Sequence, residues 1–185
     1  FALKLIVMAV YTPDLYTQWW IPFAKNFASA PLSDPWTSFS AAGGHAKAFP
    51  YGPTMLMVLG LPVALKGWVL GLASEPSMLE GFVLGIPVLL ADMGILLVLI
   101  YGFYLKSAKA VYLYWCSPVV FYINYLHGQL DVIPMFFLLA GMLLLTRRHV
   151  LWSAVVVGLG VACKENLLLA LPFLGVFAFR REGVR

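Results

Sequence analysis

The sequence predicts an all-α fold, a polytopic transmembrane helical bundle with one large outer loop that bears short interfacial helices. Three observations predict it: hydrophobic residues make up 62% of the 185 residues, charged residues make up only 11%, and the mean hydropathy is +0.90. Soluble domains have about 45–50% apolar and about 25% charged residues, so this chain has too little polar surface to cover a core in water. Lipid is the simplest environment for the remaining apolar surface.

The elements follow from the hydropathy along the chain. Residues 1–11 have the character of the end of a helix, and the polar stretch 12–50, rich in Pro, Ser, Gly, Trp and Phe, is predicted to be the first outer loop. No apolar segment alternates as a strand does, and lipid tolerates only helices or closed barrels, so the apolar segments are predicted to be helices. These segments are 51–73, 82–105, 110–126, 129–146, 150–163 and 166–179.

We expect a single transmembrane domain, residues 1–185, that is a fragment of a larger chain. The chain starts at Phe1 within an apolar run too short to span a bilayer, and it stops within a basic cluster that ends at Arg185. A cleavable signal peptide with a cleavage site at 28–30 is the alternative for the start. The Trp, Pro and Lys residues that precede that site argue against it.

Basic residues predict which helix ends face the cytoplasm. By the positive-inside rule, three basic pairs are cytoplasmic, whereas the turn at 127–129 and the 12–50 loop are on the outer side. Segments 51–73 and 82–105 must then cross the membrane an odd number of times in total. Either one of them is re-entrant or broken, at Pro62 or at Lys66 and Gly67, or one basic pair disobeys the rule. The pairs are Lys106 and Lys109, Arg147 and Arg148, and Arg180 and Arg181.

Eight acidic residues limit the choice of a catalytic base. Asp14 follows the first helix beside aromatic residues, where partial desolvation would tune a general base. Because it follows Pro13, it also suits a turn or a helix cap. Asp34 has the same two interpretations, with more weight on the turn. Three glutamates are predicted to be merely solvated, namely Glu75, Glu80 and Glu182.

Asp92 lies in the middle of an apolar segment, in LLADMGILLV. A carboxylate buried in lipid is unfavourable by several kcal/mol, so Asp92 is expected to face protein or water and to have a partner. The partner serves either helix packing or a functional site.

The segment HGQLD, residues 127–131, places an imidazole, an amide and a carboxylate between two apolar segments. A helix that starts near Gly128 would offer its N-terminal amides to an anion, with His127 and Gln129 as further donors. The alternative is that Asp131 only caps the returning helix.

Lys164, Glu165 and Asn166 interrupt the apolar run 150–179. Lys164 is either a point charge for a phosphate or a partner of the adjacent Glu165. The aromatic residues of the 12–50 loop and Tyr51 favour the membrane interface, so anchoring is their default interpretation, although such rings also stack on sugars. The sequence has no Cys/His metal pattern, and its scattered net charge of +4 does not indicate nucleic acid.

In order along the chain, these motifs resemble the GT-C superfamily of integral-membrane glycosyltransferases. The likeness is to the polyprenyl- or dolichyl-phosphate-sugar-dependent enzymes, including the mannosyltransferase of GPI-anchor synthesis and bacterial relatives. Asp14 lies where those enzymes have an acidic residue in the first outer loop. The other matching stretches are FPYGPTM (Tyr-x-Pro-Leu), LLADMG (the Asp of the third helix), SPVVFYINYLHGQLD (Asn-Pro … Gly-Gln/Asn-x-Asp) and GLGVACKENLLLALPFL (Gly-Leu-Ala … Lys … Leu-Pro). Ser117 replaces the usual Asn before Pro118, and the loop has no paired Asp-x-Asp.

The resemblance implies an inverting transfer of a hexose, such as mannose, from a polyprenyl-phosphate donor to a hydroxyl of a glycan or glycolipid acceptor. Asp14 is implied as the base, with Asp34 as the alternative. The residues implied to bind the lipid phosphate and the substrate are His127, Gln129, Asp131, Lys164 and Tyr51. No metal or other cofactor is implied, because the lipid-linked sugar is a co-substrate. The enzyme would lie in the plasma membrane of a bacterium or the endoplasmic reticulum of a eukaryote, with its site on the outer or lumenal side.

Two other classes of protein also agree with the composition. A secondary transporter would use Asp92, Asp131 and Lys164 as an ion or proton relay, although no internal repeat is present. A non-catalytic membrane subunit would not need HGQLD and Lys164 to face one cavity.

Overall fold

The computed structural model describes residues 1–72 and 75–182, and every regular element in these ranges is a helix, which confirms the predicted all-α class. The α-helices are α1 (Ala2–Val10), α2 (Ile21–Ser29), α3 (Pro35–Ala41), α4 (Pro53–Leu70), α5 (Met78–Leu97), α6 (Ser107–Ala110), α7 (Pro118–Phe121), α8 (Val132–Thr146), α9 (Val150–Cys163) and α10 (Leu171–Glu182). Four π-helical segments (Tyr16–Trp20, Val98–Gly102, Val111–Trp115, Tyr122–His127) and one 3₁₀-helical segment (Glu165–Ala170) adjoin them.

Two helices are long and apolar enough to cross a membrane, judged by length and composition. They are Pro53–Leu70 and α5 with its π-helical extension, Met78–Gly102. α8 and α9 are also apolar but shorter. An apolar stretch of about 20 residues is the length that a hydrocarbon core requires, so these helices indicate association with a membrane.

Some predicted boundaries differ from the helices. Segment 110–126 is interrupted at Cys116 and Ser117, where Pro118 starts α7 and the Ser117 hydroxyl accepts a hydrogen bond from the N–H of Val120. Proline has no N–H and is favoured in the first turn of a helix, so a new helix starts there. Segment 166–179 is divided between the 3₁₀-helical segment and α10. Residue 73 of segment 51–73 and the side chains of Arg181 and Glu182 lie outside the described residues.

The long helices pack side by side, and the residues in contact show the direction of each helix relative to its neighbour. α1 runs antiparallel to α5, α5 runs parallel to α8, and α8 and α9 form an antiparallel pair. Small residues allow these close approaches, since a Cβ added at the glycines would lie within about 3 Å of the facing side chain. The facing residues are Met8 and Gly85, Lys4 and Asp92, Gly94 and Phe136, Gly102 and Leu143, and Gly141 and Val157.

The basic pairs all lie at one end of this bundle, which we call the basic end. They follow the last turns of α5 and α8, and Arg180 lies in the last turn of α10, which lies across a groove from α9. The guanidinium of Arg147 also contacts the hydroxyl of Tyr104, which connects the ends of α8 and α5. The positive-inside rule places basic pairs on one side of a membrane, and these pairs share one end of the bundle.

The opposite end, which we call the site end, contains the starts of α5 and α8 and the end of α9. The N–H of Gly52 donates to the carbonyl of Cys163 at the end of α9, at 2.9 Å, and Lys66 near the end of α4 reaches Glu80 in the first turn of α5, at 3.2 Å. α4 is continuous through Pro62 and Lys66, so a break there was a wrong prediction.

The aromatic loop, residues 12–50, is largely helical and contributes to the core. Phe23 is buried and stacks on Phe49 with ring centroids 4.6 Å apart, and Trp20 packs edge-on against Tyr51 at 6.0 Å. Trp20 is buried within the protein, which contradicts interfacial anchoring as its main role. The predicted short helices of this loop are α2 and α3.

Glu80 is fully buried, and the expectation that it is solvated was wrong. Its carboxylate lies 3.0 Å from Lys25 of α2 and 3.2 Å from Lys66 of α4, and it accepts the N–H of Ser77 in a capping box. These bonds join α2, α4 and α5. A local polar turn gives no sign of such partners, because both lysines come from other elements.

Candidate functional site

Three residues implied as site residues lie together at the site end. Lys164 and Asp131 form an ion pair, and the Lys164 ammonium lies 5.5 Å from the centre of the Tyr51 ring. The side chains of Lys164 and Asp131 are partly exposed, at 25% and 38%. A cation within about 6 Å of a ring face is attracted to it, so Tyr51 and Asp131 together hold the ammonium in place.

Backbone packing explains why these residues meet. Gly52 lies so close to α9 that an added Cβ would be 2.2 Å from the carbonyl oxygen of Ala162. Only glycine tolerates this approach, which brings Tyr51 beside the end of α9, where Lys164 follows Cys163. α8 and α9 pair antiparallel, so the start of α8, with Asp131, lies beside the end of α9.

The phenol of Tyr51 remains protonated in this site. Burial and the negative charge of Asp131 raise the pKa of Tyr51, and a hydrogen bond to the backbone of Leu130 only partly opposes this. Burial and the nearby Tyr51 likewise raise the pKa of Tyr16. Both hydroxyls therefore act as neutral hydrogen-bonding groups at neutral pH.

The expectation that a helix starts near Gly128 was wrong. The preceding π-helical segment ends at His127, Gly128 has φ +83°, and α8 begins only at Val132. Asp131 occupies the N-cap position, but its side chain makes no cap hydrogen bond and pairs with Lys164 instead. The positive group at this place is therefore the ammonium of Lys164, which follows α9. The free amides of a helix that begins at Gly128 are not present.

Among the described residues, neither His127 nor Gln129 forms a hydrogen bond or ion pair with Lys164. The imidazole of His127 is exposed and lies 6.1 Å from the ring of Tyr122. The side chain of Gln129 is half-buried, and its backbone N–H donates to Ile123 at 2.9 Å. Both residues belong to the turn that precedes Asp131 in the sequence.

Gly128 connects this turn with Asp14. A Cβ added at Gly128 would lie 2.6 Å from Pro13 and 3.1 Å from Tyr16, so the turn packs directly on the start of the aromatic loop. Asp14 is exposed in the first helical turn after Pro13, and its carboxylate has no hydrogen-bond partner among the described residues. A free carboxylate at this place is available to a ligand.

Asp34, the alternative base, is the N-cap of α3. Its carboxylate accepts the backbone N–H of Trp36 at 3.2 Å and the hydroxyl of Thr37. The hydrogen bond from Thr37, with those from the backbone N–H groups of Trp36 and Thr37, holds the pKa of Asp34 below its usual value. An engaged carboxylate of lowered pKa is a weaker base than a free one.

Glu165 is a neighbour of the site, and the sequence left it as one of the alternative partners of Lys164. The structure does not have that pair, because the Lys164 ammonium contacts Asp131. Glu165 is exposed and has no hydrogen-bond or ion-pair partner in the described part of the chain. Its side chain lines an open pocket of about 460 Å³, together with Trp36 and Tyr51.

An apolar groove of about 370 Å³ runs between α9 and α10. It begins near the 3₁₀-helical segment that follows Lys164 and continues towards the basic end. Gly158 and Gly175 both face open space there, since an added Cβ would meet nothing within 4 Å. The groove therefore has room for an unbranched or methyl-branched hydrocarbon chain.

A second polar cluster is sealed inside the bundle. Asp92 Oδ2 accepts hydrogen bonds from Lys4 Nζ and from the Tyr125 hydroxyl, each at 2.6 Å. The Lys4 ammonium also lies 3.5 Å from the centre of a Trp115 ring. The partner that Asp92 requires is thus Lys4 of α1, 88 positions away.

No group of three His, Cys, Asp or Glu side chains in the described residues has the arrangement of a metal site. In comparisons with known proteins, no family model, no curated protein and no solved structure matches this chain. Arguments about function therefore rest on the residues themselves.

Proposed function

We propose that this chain is part of an integral-membrane glycosyltransferase of the GT-C type, a polytopic bundle with its site on the outer or lumenal side. The observation that carries the proposal is the Lys164, Asp131 and Tyr51 cluster, which lies at the end of the bundle opposite the basic pairs. Basic pairs face the cytoplasm in most membrane proteins, so the opposite end faces outward. The resemblance in motif order supports the same reaction class.

In the proposed reaction, the carboxylate of Asp14 removes the proton from the acceptor hydroxyl. The acceptor oxygen then attacks the anomeric carbon of the donor sugar, and the bond between that carbon and the phosphate oxygen breaks with inversion. The electron pair leaves with the polyprenyl phosphate. General-base assistance of this kind contributes a factor of roughly 10²–10⁴ to the rate.

The leaving phosphate gains negative charge, which Lys164 would stabilise. An ammonium has three N–H donors. Asp131 takes one of them, and two remain for phosphate oxygens. Asp131 and Tyr51 fix the position of the ammonium before the substrate binds, and preorganised charge is the most effective form of transition-state stabilisation. His127 and Gln129 would add donors if the turn adjusts on binding.

The groove between α9 and α10 suits the polyprenyl tail. It is apolar, it has two glycines that face open space, and it begins on the side of Lys164. A tail in the groove would place its phosphate at the site end. The acceptor would then approach from the open pocket beside Tyr51 and Glu165.

The test is sugar transfer by the full-length protein with a panel of radiolabelled polyprenyl-phosphate sugars. Asp14→Asn and Lys164→Met are each expected to reduce transfer at least 100-fold, whereas Asp34→Asn keeps a capping side chain and is expected to retain it. Unchanged transfer in Asp14→Asn overturns the assignment of the base. Absence of transfer by the wild-type protein with every donor overturns the function.

A secondary transporter is the second candidate, and the Lys4 and Asp92 pair favours it. Ionisable residues inside a membrane bundle are often part of ion pathways. Solute uptake into vesicles that contain the wild-type protein, lost in Asp92→Asn, together with no sugar transfer, would support the transporter instead.

A further inference from the structure

The bundle has a second groove that the proposed reaction does not use. It lies at the basic end between the last turns of α5 and α8, with a volume of about 470 Å³. The π-helical segment Val98–Gly102 widens α5 at this place, and the chain turns away at Phe103. The groove is far from Lys164, because α8 runs its full length between them.

The walls of the groove are apolar and its mouth is cationic. Leu97 of α5 and Val98 of the π-helical segment line one side of the groove, and Leu143 and Leu144 of α8 line the other. At the open end lie Arg147 and His149, the residues that follow α8 and precede α9. Hydrocarbon walls below a guanidinium and an imidazole match a lipid with an acyl chain and a charged headgroup.

Every described charged side chain around the mouth is basic. The side chains of Lys106, Lys109 and Arg148 are exposed at the same end. The guanidinium of Arg147 has no carboxylate partner among the described residues. It lies 3.4 Å from the Tyr104 hydroxyl and 6.0 Å from the centre of the same ring. Each described acidic side chain lies at the site end or, for Asp92, inside the bundle. An anion is therefore the ligand that this end attracts.

We propose that this groove is a binding site for an anionic phospholipid. One acyl chain lies between α5 and α8, the phosphate lies on Arg147, and His149 contributes a hydrogen bond to the headgroup. Basic pockets between transmembrane helices on the cytoplasmic side bind anionic headgroups by this chemistry. The site is independent of sugar transfer, and it holds α5 and α8 together at the end where they have few polar contacts.

The test is the binding of phosphatidylglycerol to the purified chain in neutral detergent, measured by native mass spectrometry. Phosphatidylcholine with the same acyl chains and soluble glycerol phosphate are the comparison ligands. We expect phosphatidylglycerol to bind at least tenfold more tightly than either. Equal binding of the two lipids would overturn the role of charge, and equal binding of glycerol phosphate would mean a free-phosphate site instead of a lipid site.

Two matched pairs of variants locate the site. Arg147→Gln is expected to weaken phosphatidylglycerol binding about fivefold, the effect of removing one basic residue near an anionic headgroup. Lys109→Gln removes the same charge at the same end but outside the groove, and is expected to change binding less than twofold. Equal effects of the two variants would mean that only diffuse charge attracts the lipid.

The second pair tests the acyl chain. Leu97→Trp fills the groove and is expected to weaken phosphatidylglycerol binding at least fivefold. Leu90→Trp adds the same side chain at an exposed position of α5 that does not line the groove, and is expected to have no effect. If Leu97→Trp binds like wild type, the lipid does not occupy the groove. Circular dichroism of all four variants verifies that each is folded.

Discussion

Replacement of Lys4 by Met tests the buried ion pair that holds α1 against α5. Lys4 and Asp92 are 3% and 0% exposed, and their charged atoms are 2.6 Å apart. Asp92 Oδ1 has no hydrogen-bond partner among the described residues. Lys4→Met would therefore leave a buried carboxylate with Tyr125 as its remaining hydrogen-bond donor.

The expected loss of stability is large because the carboxylate that remains is buried away from water. Removal of one member of a buried ion pair lowers the free energy of unfolding by about 3–5 kcal/mol. Asp92→Leu is expected to have an effect of similar size, since it leaves the ammonium with only the rings of Trp115 and Tyr125. The double variant removes both charges, and replacement of a buried pair by apolar residues is often neutral or stabilising.

The assay is equilibrium unfolding in mixed micelles, followed by circular dichroism and tryptophan fluorescence. The prediction is strong coupling: the two single variants are destabilised, and the double variant recovers most of the loss. Lys47→Met, at an exposed position of the aromatic loop, is the control for loss of one lysine. Additive effects, or a loss below about 0.5 kcal/mol for Lys4→Met, would refute the reasoning.

Three further predictions concern the site end. Glu80→Gln is expected to lower the free energy of unfolding by roughly 1.5–3 kcal/mol in the same assay, because it leaves two lysines without their buried carboxylate; an unchanged midpoint would contradict this. Gly52→Ala forces a Cβ against the carbonyl of Ala162, 2.2 Å away, and is expected to lower both the unfolding midpoint and sugar transfer. Gly175→Ala meets open space and is the control for the unfolding midpoint alone, because Gly175 lines the groove proposed for the polyprenyl tail. Asp34→Ala is expected to speed hydrogen exchange in α3, while Asp34→Asn keeps the cap. Since the pKa of Asp34 is lowered in the folded chain, its cap is present at neutral pH and is lost as the pH falls through that pKa.

The sequence alone predicted the class of structure. Apolar composition and the lack of alternation predicted helices, and a carboxylate in an apolar segment predicted that Asp92 has a partner. Both conclusions depend on the transfer of individual side chains between water and an apolar medium, which is a property of the residue and not of its neighbours.

The ion pairs between different helices could not be predicted from the sequence in the same way. Glu80 was expected in water and is buried between lysines of α2 and α4. For Lys164 the sequence left a phosphate and Glu165 as alternative partners, and the structure pairs it with Asp131. The residues adjacent in sequence indicate neither pairing. Ion pairs between elements depend on which helices are adjacent, and sequence separation gives no measure of that distance.

The basic pairs show the division between sequence and structure most clearly. Their sequence positions predicted a common side of the membrane, but left the number of crossings between the 12–50 loop and Lys106 unresolved. The structure shows α4 as one continuous helix from Pro53 to Leu70, so it is not broken at Pro62 or at Lys66 and Gly67. Hydropathy reports that a helix is apolar, whereas its direction depends on close contacts such as Gly52 on Ala162, and those exist only in the packed structure.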